Sequence, residues 1–149
     1  MERRIYEDWP NTQLSENFCL KEFVVSESHP HLALMIVPTI EQANNLHILC
    51  QMGLQPIREE YGFVSITSGL RDAALNKAVG GASDSQHLYG EAADFICSTL
   101  KPESMLDVFT FCVHNLNWQG EVFLYKKRGH LHISLPNLFV KPDHAILDK

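Results

Sequence analysis

The chain has no C-x-x-C pair; its cysteines, Cys19, Cys50, Cys97 and Cys112, are scattered along the sequence. That spacing excludes a zinc ribbon and a dense disulfide framework, and the thiols are expected to be reduced core residues. Long apolar runs are missing too, so no transmembrane span is expected. There is no internal repeat, low-complexity tract or linker. The start, Met1-Glu2-Arg3-Arg4, leads into Tyr6, Glu7, Asp8 and Trp9 instead of a hydrophobic stretch. No secretory signal is therefore expected, and the product is expected to be made and kept in a cytoplasm. Positive charge is scarce: 12 Lys and Arg against 18 Asp and Glu leave a formal net charge of -6. That balance argues against nucleic acid or an anionic membrane as partner, since both need a cationic face. Lys126-Lys127-Arg128 is a small basic cluster of the kind found in a solvated turn.

What is present suits one domain. At 149 residues, 45% hydrophobic and 20% charged, the chain can bury a single proper core but not two. Residues 1–13 are polar and read as an arm; residues 14–149 read as the domain. Residues 26–38, with Pro30 and Pro38, are expected to be irregular. Thr39 can cap a helix in which Ile40, Ala43, Leu46, Leu49, Cys50 and Leu54 recur at three- and four-residue steps, closing near 56–62. Residues 63–68 and 92–96 read as strands, with a Gly- and Ser-rich loop at 76–85 between them. Residues 102–115 read as a second amphipathic helix. Segments 121–125 and 130–135 form a hairpin around 126–129, and the tail after Pro136 extends the edge. The predicted class is α+β, with a mainly antiparallel sheet and helices packed on one side.

The chemistry concentrates in two places. The stretch S-Q-H-L-Y-G-E-A-A-D, residues 85–94, sets His87 ahead of Asp94, with Gly90 to let the chain turn and Ala92 and Ala93 to let the strand pack closely. The stretch G-H-L-H-I-S-L holds His130 and His132, which share a strand face because they are two residues apart. Two imidazoles and one carboxylate around an open position form a usual catalytic zinc site. A four-residue turn would set Tyr125 opposite His130, Phe123 opposite His132 and Glu121 opposite Ser134. Glu121 then looks at the same site and is a candidate general base. His29, His31, His47, His114 and His144 have no such company and are expected to play no metal role.

These segments resemble the zinc D-Ala-D-Ala carboxypeptidase family, metallopeptidases that share a fold with the hedgehog signalling domain. The family pattern S-x-H-x-x-G-x-A-x-D is met by Ser85, His87, Gly90, Ala92 and Asp94, and its later H-x-H by His130 and His132. Ser68-Gly69-Leu70-Arg71 matches the upstream S-G-[YF]-R segment, and the opening Leu14-Ser15-Glu16-Asn17-Phe18 looks like the small phage and bacterial branch. The resemblance implies that His87, Asp94 and His132 are zinc ligands and that His130 bonds the tetrahedral intermediate or the attacking water. It further implies that Arg71 holds a substrate carboxylate or carbonyl oxygen, as its fork permits, and that Ser85 binds a peptide group beside the metal. Several relatives carry an acidic base three residues before the last ligand, where this chain has Gly129. Glu121 is the first replacement, His130 the second, and Glu91 an outsider aimed the other way along its strand.

The implied substrate is a peptidoglycan stem peptide, cut at a D-Ala-D-Ala or L-Ala-D-Glu type bond. Without a secretory signal, such an enzyme suits phage lysis or cell entry. The hedgehog domain shows the alternative: a binding module, here for peptidoglycan or a virion, that keeps zinc without turnover. A third reading is a metal that only staples the fold.

Overall fold

Three segments of alternating side chains form the middle of the sheet in the computed structural model, which describes residues 8–137 and 142–149. β1 (Gln13–Ser15) and β2 (Phe18–Cys19) form a small antiparallel hairpin near the start. The main sheet holds β3 (Val64–Ser68), β4 (Ala92–Cys97), β5 (Glu121–Tyr125), β6 (His130–Ser134) and β7 (Asp143–Leu147). Its order is β3-β4-β6-β5-β7. Every pairing in it is antiparallel except β5 with β7, so the tail adds a parallel edge strand to an otherwise antiparallel sheet. The architecture is α+β, with α1 (Pro30–Leu34), α2 (Ile40–Leu49), α3 (Gln55–Tyr61), α4 (Ala73–Ala78) and α5 (Met105–Thr110) around the sheet. No helix among the described residues is long and apolar enough to cross a membrane.

Strand alternation divides the sheet into an apolar and a polar face. Phe95 and Cys97 of β4, Val122 and Leu124 of β5, and Leu131 and Ile133 of β6 are buried in one hydrophobic cluster. Leu46 and Leu49 of α2, Ile57 of α3, and Met105 and Val108 of α5 belong to the same cluster. Each such side chain removed from water contributes roughly 1.5–3 kcal/mol, so this layer makes the sheet rigid without help from its polar face. The four thiols are unbridged, with Cys50, Cys97 and Cys112 buried and Cys19 half-buried.

The structure adds a detail to the first expected helix and departs from the sequence reading at 76–85 and at 26–38. The helix expected to close near 56–62 does close there, at Tyr61, after passing through a π turn at Cys50–Leu54 that is closed by Gln55 N–H on Cys50 O. A proline inside a helix lacks an N–H and presses on the carbonyl four residues back. The wider turn just before Pro56 relieves that contact. The loop expected at 76–85 begins inside α4, whose N-terminus is capped by Asp72 Oδ1 accepting from Leu75 N–H at 2.9 Å. The irregular segment 26–38 contains α1, with Pro30 at the first helical position, where its missing N–H costs nothing. Of the expected arm, residues 1–7 lie outside the described residues. Trp9–Asn11 forms a 3-10 turn, and Trp9 packs against the core.

Candidate metal centre

Strand pairing alone assembles most of the site. Asp94 of β4 pairs with His132 of β6, which pairs with Phe123 of β5. On the other side, a shift in the pairing between Ile66 and Ser68 brings Ser68 opposite Asp94. A bulge there re-aims the end of β3 toward the polar face. Ser68, Asp94, His132 and Phe123 thus form one row across four strands. The Phe123 ring stacks on the His132 imidazole at 5.4 Å and 15°.

His87 reaches this row from the 3-10 turn Gln86–Tyr89. Ser85 Oγ accepts from His87 N–H at 3.3 Å and caps that turn. Gly90 closes it at φ 71, and a Cβ there would lie 2.5 Å from Gln42 O, so both the turn and the close approach demand glycine. The turn is tied to α2 by Gln42 Nε2 to Leu88 O at 3.0 Å and Asn45 Nδ2 to Tyr89 O at 2.9 Å. Gln86 Nε2 to Leu135 O, 2.9 Å, ties it to the end of β6.

His87, Asp94 and His132 each present one ligand atom, all within 4.8 Å of one another. His87 Nδ1 donates to Gly69 O at 2.7 Å, which leaves Nε2 free to face Asp94 Oδ1, 3.5 Å away. His132 turns Nδ1 to the same oxygen at 2.7 Å. Two imidazole nitrogens and a carboxylate, with both histidines buried, fit a divalent ion of the zinc type. Burial by itself would raise the Asp94 carboxyl, but hydrogen bonds from His132 and His87 outweigh it and hold the group well below the carboxylate range. Burial would likewise depress His132, whereas its bonds to Asp94 and Glu121 carry it up to about 9. A metal entering here must displace a proton from that imidazole.

The remaining sequence candidates stand around this cluster. Glu121 Oε1 lies 3.1 Å from His132 Nε2 and accepts from Ser134 Oγ at 3.2 Å. The bond from His132 lowers its pKa against the opposing effect of burial. Arg71 donates from Nε and Nη2 to Ser68 Oγ, both at 3.2 Å, and from Nη1 to Asn76 Oδ1 at 3.3 Å. Its Nη2 also lies 3.7 Å from Asp94 Oδ2. His130 is outside the three-residue group and packs on Tyr125 with ring centres 4.9 Å apart. It shares a cavity of about 310 Å³ with Arg71, Asp94 and Arg128. A second cavity, about 490 Å³, is lined by Ser85, Glu121, Phe123, Tyr125 and His132. The cluster thus contributes walls to two open spaces, one through Asp94 and the other through His132. None of the five histidines expected to be idle joins it.

Three features escaped the sequence reading. Gly69 O orients His87, Ser68 holds Arg71, and Ser134 binds Glu121. The turn register already set Ser134 opposite Glu121, and only the bond between them was missed; the Gly69 contact spans 18 residues and left no local mark. Gly129 has φ 68, and a Cβ there would lie 2.6 Å from Pro102 Cβ. An acidic residue three positions before His132 has no room in this turn.

A family model described as Peptidase M15 matches residues 17–134, most of the chain. A search of curated proteins found no match.

Proposed function

Because the chain belongs to the peptidase M15 family, we propose that it is a zinc-dependent peptidase that hydrolyses peptidoglycan stem peptides, at a D-Ala-D-Ala or L-Ala-D-Glu type bond. The observation that carries this reading is the meeting of His87 Nε2, His132 Nδ1 and an Asp94 oxygen beside two open cavities. When bound by these three residues, zinc supplies Lewis-acid polarisation of the scissile carbonyl and an acidified water nucleophile.

The protein's own groups do the rest. Arg71 and His130 face one cavity and are suited to donate hydrogen bonds to a carbonyl or carboxylate oxygen that gains charge during the reaction. Ser85 lines the other cavity, where it can meet a backbone peptide group of the substrate. Glu121 and His130 are the two groups on the polar face available to take a proton from water and return it to the leaving amine. The Phe123 ring covers one face of His132 and limits water there. Cell walls are anionic and this chain carries a net charge of -6, so affinity for the wall rests on the cleft or on a partner.

The missing acid at Gly129 favours a second reading, a peptidoglycan-binding or virion structural module that keeps the metal. Zinc-loaded protein incubated with purified peptidoglycan or a stem pentapeptide decides between them. New amines or released D-Ala, absent in a His87→Ala control, support the peptidase. Wall binding without product supports the module.

A further inference from the structure

Glu121 stands where sequence reasoning wanted a general base, but its hydrogen bonds describe another task. Its Oε1 is 3.1 Å from His132 Nε2 and accepts from Ser134 Oγ at 3.2 Å. Glu121 N–H in turn donates to Ser134 Oγ at 3.2 Å, so carboxylate and serine brace each other across the β5–β6 pair. The other imidazole nitrogen of His132, Nδ1, faces Asp94 Oδ1 at 2.7 Å. His132 is thus held at both ends, with one nitrogen aimed into the ligand group and the other out of it.

We propose that Glu121 is a positioning residue for the metal ligand His132: it accepts the Nε2–H, fixes the tautomer, and commits Nδ1 to the metal. The inference rests on the zinc-peptidase reading only in supposing that His87, Asp94 and His132 bind a divalent ion. Metal-ligating histidines regularly donate their second ring N–H to a carboxylate or carbonyl, which orients the ring and raises its basicity. His87 already follows this rule with Gly69 O at 2.7 Å. With Glu121 in place, His132 follows it too. Arg71 Nη2, 3.7 Å from Asp94 Oδ2, gives the third ligand an outer partner as well.

Protonating this carboxylate at either oxygen would weaken its hold on the His132 ring, which sets the positioning task against that of a base. The assignment therefore moves the proton acceptor to His130, which shares a cavity with Asp94 and Arg71.

Zinc affinity, measured by competition with a chromophoric chelator, tests the proposal without reference to turnover. Glu121→Ala is expected to weaken affinity about 10–100-fold. Glu121→Gln keeps an oxygen that can accept from Nε2–H and is expected to recover most of that loss. Long-range proton–nitrogen NMR of the zinc-loaded wild-type protein needs no variant: His132 should show Nε2 protonated and Nδ1 metal-bound, and His87 the reverse. Wild-type affinity in Glu121→Ala, or His132 bound through Nε2, overturns the proposal. So does Glu121→Gln with full zinc and no turnover, the signature of a base. A wild-type protein that binds no zinc at all sinks the peptidase reading itself, which is a different result.

Discussion

Asp94 and His132 stand directly opposite each other on adjacent strands, with Oδ1 and Nδ1 2.7 Å apart. Without metal this is an ion pair; on the proposed reading the same two atoms become neighbours in a ligand set. Asp94→Asn keeps the shape and removes the charge. Zinc affinity is expected to fall by more than the roughly 10–100-fold that an outer partner is worth, because a ligand itself is lost. Isothermal titration of the variant with zinc checks this, and wild-type affinity would exclude Asp94 from the ligand set.

His130 lies two residues from His132 on the same face but outside the ligand group. His130→Ala should bind zinc with wild-type stoichiometry and lose about 10²–10⁴-fold in kcat, the range for a removed acid–base group. Metal content by atomic absorption, together with D-Ala release, separates the two effects. Loss of zinc in this variant would make His130 a structural member of the site.

Arg71 joins Ser68, Asn76 and Asp94 through one planar guanidinium. Lysine can place a charge there but cannot reproduce the fork. Arg71→Lys is expected to raise KM for peptides ending in a carboxylate and to weaken zinc binding by about tenfold, the lower end for an outer partner. Comparing the variant on a free peptide and on its C-terminal amide checks the first effect. Equal KM changes for both would assign Arg71 to scaffolding alone.

Burial pushes the Cys97 thiol up to about 11 and the Cys112 thiol up to about 12, from an ordinary value of 9.0. In the unfolded chain both ionise near 9, whereas in the folded protein they stay protonated to higher pH. Folding therefore retains protons in the interval from about 9 to 11–12, and stability is expected to fall as pH rises through it. Urea titrations between pH 7.5 and 11 should show this decline, with a shallower slope in Cys112→Ala. A disulfide-exchange reagent at pH 8 should label Cys19 well before the buried thiols, which present almost no thiolate. Rapid labelling of all four would contradict the packing.

The apolar layer lies on the opposite face of the sheet from the ligands, and it does not depend on them. Chelation should abolish turnover while the far-ultraviolet circular dichroism stays folded. Stability should fall by the amount that mass action allows, about 2.7 kcal/mol for zinc at one hundred times its Kd, and be read as a lower melting temperature. Unfolding on chelation would instead make the metal a staple of the fold.

The polar face was legible because strand geometry converts spacing into direction. His130 and His132, two apart, had to point the same way, and the turn at 126–129 sets Tyr125 opposite His130 and Phe123 opposite His132. The order of the sheet was not legible. Nothing local announces that β7 pairs in parallel with β5, since Asp143, His144 and Ala145 carry no strong strand signal. The end of the first helix near 56–62 was legible from the apolar period, but the π turn that lets Pro56 sit within it is a solution that period does not display. Asp72 before Ala73-Ala74-Leu75 is a readable capping signal for α4, whose second half falls in the segment expected as loop. The role of Glu121 needed distances: spacing brought it to the face, but only the bond to His132 Nε2 tells a partner from a base.

The row from Ser68 to Phe123 also bears on how the chain finds its native state. Sliding β4 past β6 by a single position would turn the Asp94 carboxylate inward among Leu131, Ile133 and their neighbours, and push Phe95 out into water. A bare charge in that layer carries a penalty of several kcal/mol. Misaligned pairings are thus discouraged by the same residues that form the candidate metal group, and a variant lacking Asp94 would forfeit a proofreading device during assembly.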